Sequence, residues 1–263
     1  MSDSFYDQLF SVRDKVALVT GGTRGIGLMI AEALLRGGAR VYISSRKADA
    51  CQEAESALSE FGDCSAYPCD ISSMEGCQEL AAEIARREPK LDILVNNAGL
   101  TWTASLEDLD EKGWDRVVDL DMKTPFFLLQ QLLPQLRAAA SPERRASVIN
   151  ITSVAALAPT PLQNYSYVAA KSGLGFLSRQ LAKDLMQDHI NVNAIAPGLF
   201  RSKMTAALFT TEESEAQVLN SVPMKRDGRM EDIGGLTIFL CSSAGAYVTG
   251  ATIACDGGST MAS

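Results

Sequence analysis

"TGGTRGIG" occupies residues 20–27 and follows the apolar run "KVALV" of residues 15–19. Its glycines at positions 21, 25 and 27 allow a sharp turn and a close approach of the backbone to a ligand. The apolar spacing of residues 28–35 predicts a helix after the turn, and the first amides of a helix attract anions. The stretch therefore predicts a strand, a phosphate-binding turn and a helix, with a simple tight connection as the alternative.

The same alternation of strand and helix patterns continues to the end of the sequence. Buried strands that alternate with helices predict a parallel sheet covered on both faces. We expect an α/β fold, a Rossmann-like doubly wound parallel sheet, in a single domain over 1–263. An N-terminal extension spans 1–13, and an insertion spans 199–222 after the sixth strand. The further strand-like runs are "ARVYISSR" (39–46), "PCDIS" (68–72), "DILVNNAG" (92–99), "ASVINITS" (146–153), "INVNAIAP" (190–197) and "TGATIACDGG" (249–258).

Composition restricts the classes of partner. The 263 residues carry a net charge of −8, which opposes general affinity for nucleic acid or an anionic membrane. The six cysteines lack metal-ligand spacing and His189 is the single histidine, so we expect no metal site. The N-terminus lacks the pattern of a secretory signal, which favours the cytoplasm. These features predict a small-molecule or protein partner, with no nucleic acid and no membrane.

The end of the second strand bears on the choice of cofactor. In a nucleotide-binding strand–helix–strand unit, an acid there binds the ribose 2′-hydroxyl, whereas an arginine accommodates a 2′-phosphate. Here the strand ends in Ser44, Ser45 and Arg46, and Arg24 in the glycine turn adds a second positive charge. The pattern favours NADP over NAD, with two solvated surface arginines as the alternative.

Two other strand ends carry polar residues. Asp70 follows the third strand and could accept a hydrogen bond from an adenine amino group. "NNAG" at 96–99 follows the fourth strand and tolerates unusual backbone angles. Either could be turn chemistry alone. Because ligands of such sheets bind beyond the carboxyl ends of the strands, both fit a cofactor stretched across these ends.

A serine, a tyrosine and a lysine follow the fifth strand. Ser153 ends the strand, and Tyr167 and Lys171 are four residues apart, so a helix places them on one face. A free tyrosine has a pKa of about 10, and a nearby ammonium favours the phenolate. Such a phenol could protonate a ketone oxygen as hydride arrives on carbon, while Ser153 holds that oxygen. The spacing alone is common by chance, and its position after a nucleotide-binding half makes it informative.

Together these motifs resemble the short-chain dehydrogenase/reductase family over nearly all of the sequence. The matches also include "APG" at 196–198 and "DGG" at 256–258. Within the family, the sequence is similar to β-ketoacyl reductases of the type associated with rhamnolipid synthesis.

The resemblance implies a role for each matching residue. It makes Tyr167 the acid/base and Ser153 the residue that positions the carbonyl. It makes Lys171 the residue that lowers the pKa of the tyrosine and holds the nicotinamide ribose. It also implies NADP (NADPH) as the cofactor and a homotetramer as the assembly. The cofactor-binding residues predicted are Gly21, Thr23, Arg24, Gly25, Ile26, Gly27, Ser45, Arg46, Asp70, Ile71, Asn97, Ala98, Gly99, Tyr167, Lys171, Pro197, Gly198 and Ser202.

One position departs from the family pattern. Family members usually carry an asparagine in the helix after strand four, where it anchors a water of a proton relay. This sequence has Asp121 there, within "DLDMKTPFF" at 119–127. Asp121 interrupts an apolar stripe, so we expect a buried carboxylate that needs a partner, and Lys171 is the expected one. Asp121 therefore joins the predicted catalytic residues with an altered pH dependence as the hypothesis, and neutral drift is the alternative.

The insertion at 199–222 resembles the mobile substrate lid of the family. We expect it to contribute to an apolar pocket for an acyl chain or a hydrophobic ring. Packing against a neighbouring subunit is the alternative. The apolar residues expected at the pocket are Phe200, Met204, Leu208, Phe209, Trp102, Leu157 and Leu162.

A carrier-bound acyl substrate would need a basic rim around the pocket, because acyl carrier proteins are acidic. Arg144 and Arg145 could supply that rim. Asp188, near the end of the Tyr167 helix, would instead repel a carrier. We therefore expect a free or coenzyme-linked substrate slightly more than a carrier-bound one.

The complete set of Ser153, Tyr167 and Lys171 predicts an enzyme. Its expected reaction is the NADPH-dependent reduction of a ketone or 3-oxoacyl carbonyl to a secondary alcohol by hydride transfer. The alternative is a non-catalytic NADP-binding sensor or scaffold protein with the same fold. Asp121 is the only residue that favours this alternative.

Overall fold

One sheet of seven parallel strands organises the computed structural model, which describes residues 4–261. The strands are β1 (Val16–Thr20), β2 (Arg40–Ser45), β3 (Cys64–Pro68), β4 (Ile93–Asn96), β5 (Ala146–Ile151), β6 (Ile190–Pro197) and β7 (Thr252–Cys255). Their order in the sheet is β3-β2-β1-β4-β5-β6-β7. Six of them coincide with the predicted runs, whereas β3 ends at Pro68, where the run "PCDIS" begins. The doubly wound, Rossmann-like α/β fold in a single domain is confirmed. The order changes direction between β1 and β4, which is where such folds bind ligands.

Helices connect the strands and cover both faces of the sheet. The helix α2 begins directly behind the glycine turn and ends before Gly38, which has a φ of +87°. The side chains of Ser73 and Asp110 cap α4 and α5 by accepting backbone amides of their first turns. The helices are α1 (Phe5–Phe10), α2 (Gly25–Arg36), α3 (Ala48–Leu58), α4 (Met74–Arg87), α5 (Glu111–Val118), α6 (Thr124–Ala139), α7 (Tyr165–Leu185), α8 (Glu212–Ser221) and α9 (Met230–Cys241).

The helix between β4 and β5 contains an irregularity that the sequence pattern did not predict. A π-helical turn, Asp119–Lys123, joins α5 to α6 without interrupting the helix. Such turns accommodate one extra residue, and they occur often at functional sites. The turn carries Asp121, which is fully buried.

A hydrophobic core lies on each face of the sheet. Because side chains alternate along a strand, Val19 packs in one core with Ile30 and Ile233, and Leu18 packs in the other with Leu128. The first core contains α2 and α9, and the second contains α4, α6 and α7. The two cores fix the sheet rigidly, so the loops at its carboxyl edge hold a defined geometry.

The predicted extension and insertion differ from the core. Of the extension at 1–13, residues 1–3 lie outside the described residues, and the remainder contains α1. The insertion at 199–222 contains a short 3-10 turn, Ala206–Leu208, and α8, in which no residue is buried. Within residues 4–261, no helix is long and apolar enough to cross a membrane.

Candidate active site

The glycine turn of residues 20–27 lies at the carboxyl end of β1. Gly21 and Gly25 have φ of +66° and +55°, in the left-handed region where other residues are strained. A Cβ added at Gly27 would lie 2.4 Å from the side-chain nitrogen of Asn97, so no side chain fits there. Arg24 precedes α2 without capping it through its side chain. The turn therefore presents backbone amides and the positive end of a helix to the space in front of β1.

Partly buried hydrogen bonds fix this turn to the loop after β4. Asn97 Nδ2 donates to the carbonyl oxygens of Thr20 at 2.8 Å and Gly21 at 3.2 Å. The Thr20 hydroxyl accepts from the backbone amides of Asn97 and Ala98, each at 3.0 Å. Both loops are thus held in one arrangement by side chains that the sheet itself positions.

The strand ends beside β1 supply the predicted positive charges and the predicted aspartate. Arg24 and Arg46 are both exposed and line the same cleft. Asp70 is also exposed, and its Oδ1 accepts from the Ser72 amide at 3.1 Å. The Thr124 hydroxyl donates to the Ile71 carbonyl at 2.7 Å and so fixes the loop after β3 to the beginning of α6.

Ser153, Tyr167 and Lys171 come together on the other half of the sheet. Ser153 follows β5, and its hydroxyl accepts from the Ala155 amide at 3.2 Å. Tyr167 and Lys171 lie in the first turns of α7, with the Lys171 ammonium 5.6 Å from the centre of the Tyr167 ring. All three line the cleft, whereas the neighbouring Tyr165 is exposed and does not. The predicted helical face therefore brings the amine to Tyr167 and not to Tyr165.

Lys171 is buried and bonded on two sides. Its ammonium donates to the Ile151 carbonyl at 3.0 Å and forms an ion pair with Asp121 at 3.1 Å. Burial lowers the pKa of Lys171, but the Asp121 carboxylate and the Tyr167 phenol together more than offset this, so the pKa lies above the usual value of a lysine. The predicted burial of Asp121 and its pairing with Lys171 are both present.

One cleft of about 530 Å³ joins these parts along the carboxyl edge of the sheet. Every residue predicted for catalysis or cofactor binding lines it, including Pro197, Gly198 and Ser202 at the end of β6. Gly198 packs against the backbone just after β7, where an added Cβ would lie 2.7 Å from Asp256 Cα. The geometry thus brings the predicted residues together, and their roles remain predictions.

The sequence was compared with known proteins. Residues 21–260 match the sequence model of a protein family described as "Enoyl-(Acyl carrier protein) reductase". The human protein "Dehydrogenase/reductase SDR family member 4" is 33% identical over 248 residues, covering 93% of this chain and 87% of the human protein. The chain belongs to the short-chain dehydrogenase/reductase family.

Within the short-chain dehydrogenase/reductase family, a bacterial protein is more similar. The "Rhamnolipids biosynthesis 3-oxoacyl-[acyl-carrier-protein] reductase" of Pseudomonas aeruginosa is 48% identical over 249 residues, covering 95% of this chain and 97% of that protein. A solved structure described as "Pseudomonas aeruginosa RhlG/NADP active-site complex" superposes with a TM-score of 0.94 at 47% identity. It covers 96% of this chain and 99% of that one.

Some buried polar residues and cleft-lining residues of this short-chain dehydrogenase/reductase were not predicted from its sequence. A buried chain of side chains runs from Asn96 to Asn150 at 2.8 Å and from Asn150 to the Ser178 hydroxyl at 2.8 Å. These bonds connect β4, β5 and α7. Polar residues inside apolar strands, and a serine on the core face of a helix, were the available signal. Other lining residues that were not predicted are Leu100, Thr101, Leu120, Lys203 and Thr205.

Arg144 and Arg145, which a carrier-bound substrate would need at the pocket, do not form a rim around the cleft. Arg144 pairs with Asp92 at 3.0 Å, and Arg145 donates to Asn191 at 2.7 Å, both at the amino ends of the strands. They lie at the edge of the sheet opposite the cleft because each precedes β5. Asp188 follows α7 and pairs with Arg137 at 2.8 Å, also away from the cleft.

Two of the seven residues expected at an apolar pocket line the cleft. Phe200 and Met204 line the cleft, and Phe200 is buried while Met204 is half exposed. Leu208, Phe209, Leu157 and Leu162 do not line it. Trp102 does not line it either, because its ring covers Gly113, where an added Cβ would lie 2.6 Å from the indole nitrogen.

Proposed function

We propose that the protein is an NADPH-dependent reductase that converts a ketone or 3-oxoacyl carbonyl to a secondary alcohol. The observation that carries this proposal is the single cleft in which Tyr167, Lys171 and Ser153 face a glycine turn flanked by two exposed arginines. When bound, NADPH supplies the hydride that forms the new C–H bond at the carbonyl carbon. The chain must then bind, orient and protonate the substrate.

The cleft fits an extended dinucleotide. A Cβ at Gly27 would collide with the Asn97 side chain, so glycine allows the turn to pack against the loop after β4 and hold its amides at the front of β1. The uncapped start of α2 provides amides for the diphosphate. Arg24 and Arg46 suit a 2′-phosphate better than a 2′-hydroxyl, because no acid occupies the end of β2. The NADP complex described for the similar Pseudomonas aeruginosa structure supports this choice.

Three side chains carry the proton chemistry in this proposal. The Tyr167 hydroxyl gives its proton to the carbonyl oxygen as that oxygen gains charge, which leaves a phenolate and forms the alcohol. The Lys171 ammonium, 5.6 Å from the ring centre, stabilises the phenolate electrostatically. Ser153 donates a hydrogen bond to the same oxygen and so orients the carbonyl. Proton and hydride together account for the two hydrogens added to the carbonyl.

The substrate class follows from the similar proteins and from the cleft wall. The Pseudomonas aeruginosa relative is named as a 3-oxoacyl-[acyl-carrier-protein] reductase, which favours a 3-oxoacyl thioester. Met204, half exposed at the mouth of the cleft, provides an adaptable apolar contact for an acyl chain. The proposal includes free carbonyl compounds as well as thioesters of coenzyme A and of a carrier protein.

The decisive experiment follows NADPH absorbance with ketones, 3-oxoacyl thioesters on coenzyme A and on acyl carrier protein, and an enoyl thioester. We expect turnover of a carbonyl substrate, slower turnover with NADH, and a loss in kcat of about 10²- to 10⁴-fold in Tyr167→Phe. Tyr165→Phe is the matched control, because Tyr165 lies on the same helix but outside the cleft. Activity that survives Tyr167→Phe would refute the mechanism, and reduction of the enoyl thioester alone would refute the substrate class.

Assembly and location belong to the same proposal. Phe176 on α7 is 70% exposed and Trp114 on α5 is 40% exposed, which leaves apolar surface on two adjacent helices for subunit contacts. A homotetramer is the expected assembly, measured as mass by light scattering after gel filtration. The cysteines at positions 51, 64, 69, 77, 241 and 255 are free thiols, which suits a reducing compartment such as the cytoplasm.

A further inference from the structure

Asp121 is a carboxylate without access to solvent. It is 0% exposed, and it lies in the π-helical turn Asp119–Lys123 that faces the cleft between α5 and α6. Its Oδ1 accepts from the Leu100 amide at 2.9 Å. That bond fixes the rotation of the carboxylate and directs Oδ2 at the Lys171 ammonium, 3.1 Å away. Oδ2 has no hydrogen-bond partner within residues 4–261, so the ion pair is its only compensation.

The surroundings of Lys171 contain few other charges. The titratable groups that face its ammonium are the Asp121 carboxylate, from the π-helical turn, and the Tyr167 phenol, from its own helix. The strand β5 contributes only the Ile151 carbonyl at 3.0 Å. The loop at Gly99 contributes backbone alone, and it is so close that an added Cβ would lie 2.8 Å from Asp121 Oδ2 and 3.2 Å from Lys171 Nζ.

We propose that Asp121 is a positioning residue: the counter-ion that keeps the buried Lys171 side chain charged and directed at Tyr167. The inference rests on the proposed function for its catalytic consequence, but the charge state of Lys171 can be measured without cofactor or substrate. It departs from the expectation that Asp121 acts directly in catalysis, because the carboxylate contacts Lys171 and a backbone amide.

The balance of forces on Lys171 supports this role. Burial is the largest influence on the pKa of Lys171 and lowers it, whereas the Asp121 carboxylate raises it, and the net direction is upward. Burial also raises the pKa of Asp121, against the opposing effects of the Lys171 ammonium and the Leu100 amide. Each charge therefore depends on the other, and the pair titrates as a unit. Without Asp121, the Tyr167 phenol would be the one remaining side chain within residues 4–261 that opposes the effect of burial on the pKa of Lys171.

The test is a titration of Lys171 in the protein without ligands. Lysine labelled with ¹³C at Cε gives a resonance that moves on deprotonation, and Lys171→Arg identifies the signal of Lys171. In the unsubstituted protein we expect the ammonium signal to persist beyond the pH range in which an ordinary lysine titrates. In Asp121→Asn we expect the signal to move at a lower pH. Correspondingly, kcat/KM above pH 8 should fall by roughly tenfold relative to its value at pH 7.

Asp92→Asn is the matched control. Asp92 is also buried, accepts a backbone amide at 2.9 Å and pairs with Arg144 at 3.0 Å, but it lies at the opposite edge of the sheet. It should leave the Lys171 titration unchanged even if it lowers stability. If Asp121→Asn does not fold, Asp121→Ser removes the charge with a smaller side chain and carries the same expectation.

Two results would overturn the inference. One is a Lys171 titration that is identical in the unsubstituted protein and the Asp121 variants. The other is a Lys171 signal that already titrates below pH 9 in the unsubstituted protein, which requires no variant to fold. Failure to find a carbonyl substrate would instead refute the proposed function and leave the lysine titration as it stands.

Discussion

Two walls of the cleft are built by different physical means. The glycine wall, residues 20–27 with 96–99, has almost no freedom because its backbone is packed and hydrogen-bonded to buried side chains. The segment of residues 199–222, which was predicted to be a substrate lid and is called the lid segment below, contains α8, in which no residue is buried. The buried Phe200 anchors the beginning of this segment in the core. The exposed Arg201 holds the remainder by ion pairs with Asp227 at 2.6 Å and with Glu215, and by a contact 4.2 Å from the Phe209 ring centre.

The two walls of the cleft therefore differ in how far they can adjust to a ligand. Buried packing holds its form at any salt concentration, whereas exposed ion pairs are weak and are screened by salt. The glycine wall is therefore suited to a part of the ligand that does not vary, and the lid segment is suited to a part that does. Substitutions on the two walls should differ in size and in kind.

Gly27→Ala should produce the largest effect, because it adds a methyl group to the packed wall. The new Cβ would lie 2.4 Å from both Asn97 Nδ2 and the Gly21 carbonyl oxygen, and the latter is backbone that cannot move aside. We expect the free energy of unfolding to fall by about 3 kcal/mol and NADP binding to be lost. Urea denaturation and a fluorescence titration with NADP measure the two quantities.

Gly235→Ala is the matched control for that prediction. Gly235 lies on the exposed side of α9, and nothing is within 4 Å of an added Cβ. Alanine should stabilise the helix by about 0.5–1 kcal/mol and leave NADP binding unchanged. Equal tolerance of both alanines would contradict the rigidity assigned to the glycine wall.

Arg46→Ala should have an intermediate effect, because it changes a side chain that projects beyond the packed backbone. Loss of a charge-assisted contact to a 2′-phosphate is worth about 1.5–3 kcal/mol, so Kd for NADPH should rise about 10- to 100-fold. Kd for NADH should stay constant, since NADH has no 2′-phosphate. Lys47→Ala is the control, because Lys47 is exposed one residue further on and does not line the cleft. A parallel loss of NADH binding would contradict the role of Arg46.

Arg201→Ala should have the smallest effect, because it loosens only the lid segment and leaves the packed core unchanged. We expect KM for the carbonyl substrate to rise by about two- to threefold at low salt and the difference to vanish at high salt. The unfolding midpoint should not change measurably. Arg36→Ala removes a comparable surface arginine, paired with Glu32 at 2.8 Å and stacked 3.9 Å from Phe61, far from the cleft. A KM change in Arg36→Ala, or one in Arg201→Ala that persists at high salt, would contradict the adjustable lid.

The strands and the residues of the cleft could be predicted because both depend on local sequence. Each strand is an apolar run with a turn residue behind it, and a parallel sheet brings the residues after its strands to one edge. Tyr167 and Lys171 were assigned to one helical face by spacing alone. The pairing of Asp121 with Lys171 was predicted because a buried carboxylate needs a partner.

The remaining features depend on contacts between distant residues. Nothing in "DLDMK" at 119–123 distinguishes a π-helical turn from a regular helix. The bonds between Asn96, Asn150 and Ser178 join three elements whose register only the folded sheet defines. Arg144 was a candidate for a carrier-binding rim on its charge alone, although its place before β5 puts it at the opposite edge.

The π-helical turn also sets the phase of the whole helix that contains it. An α-helix rotates by about 100° per residue, so one residue more or less before α6 rotates everything behind it by that angle. Leu128, Leu132 and Leu136 of α6 are fully buried against the sheet, and Asp121 is buried against Lys171. After deletion of one residue within 119–123, the helix could therefore bury either Asp121 against Lys171 or the three leucines against the sheet, but not both. The position of the Asp121 carboxylate beside Lys171 and the packing of α6 therefore depend on the same helical register. A helix shortened by one residue can retain only one of these two contacts.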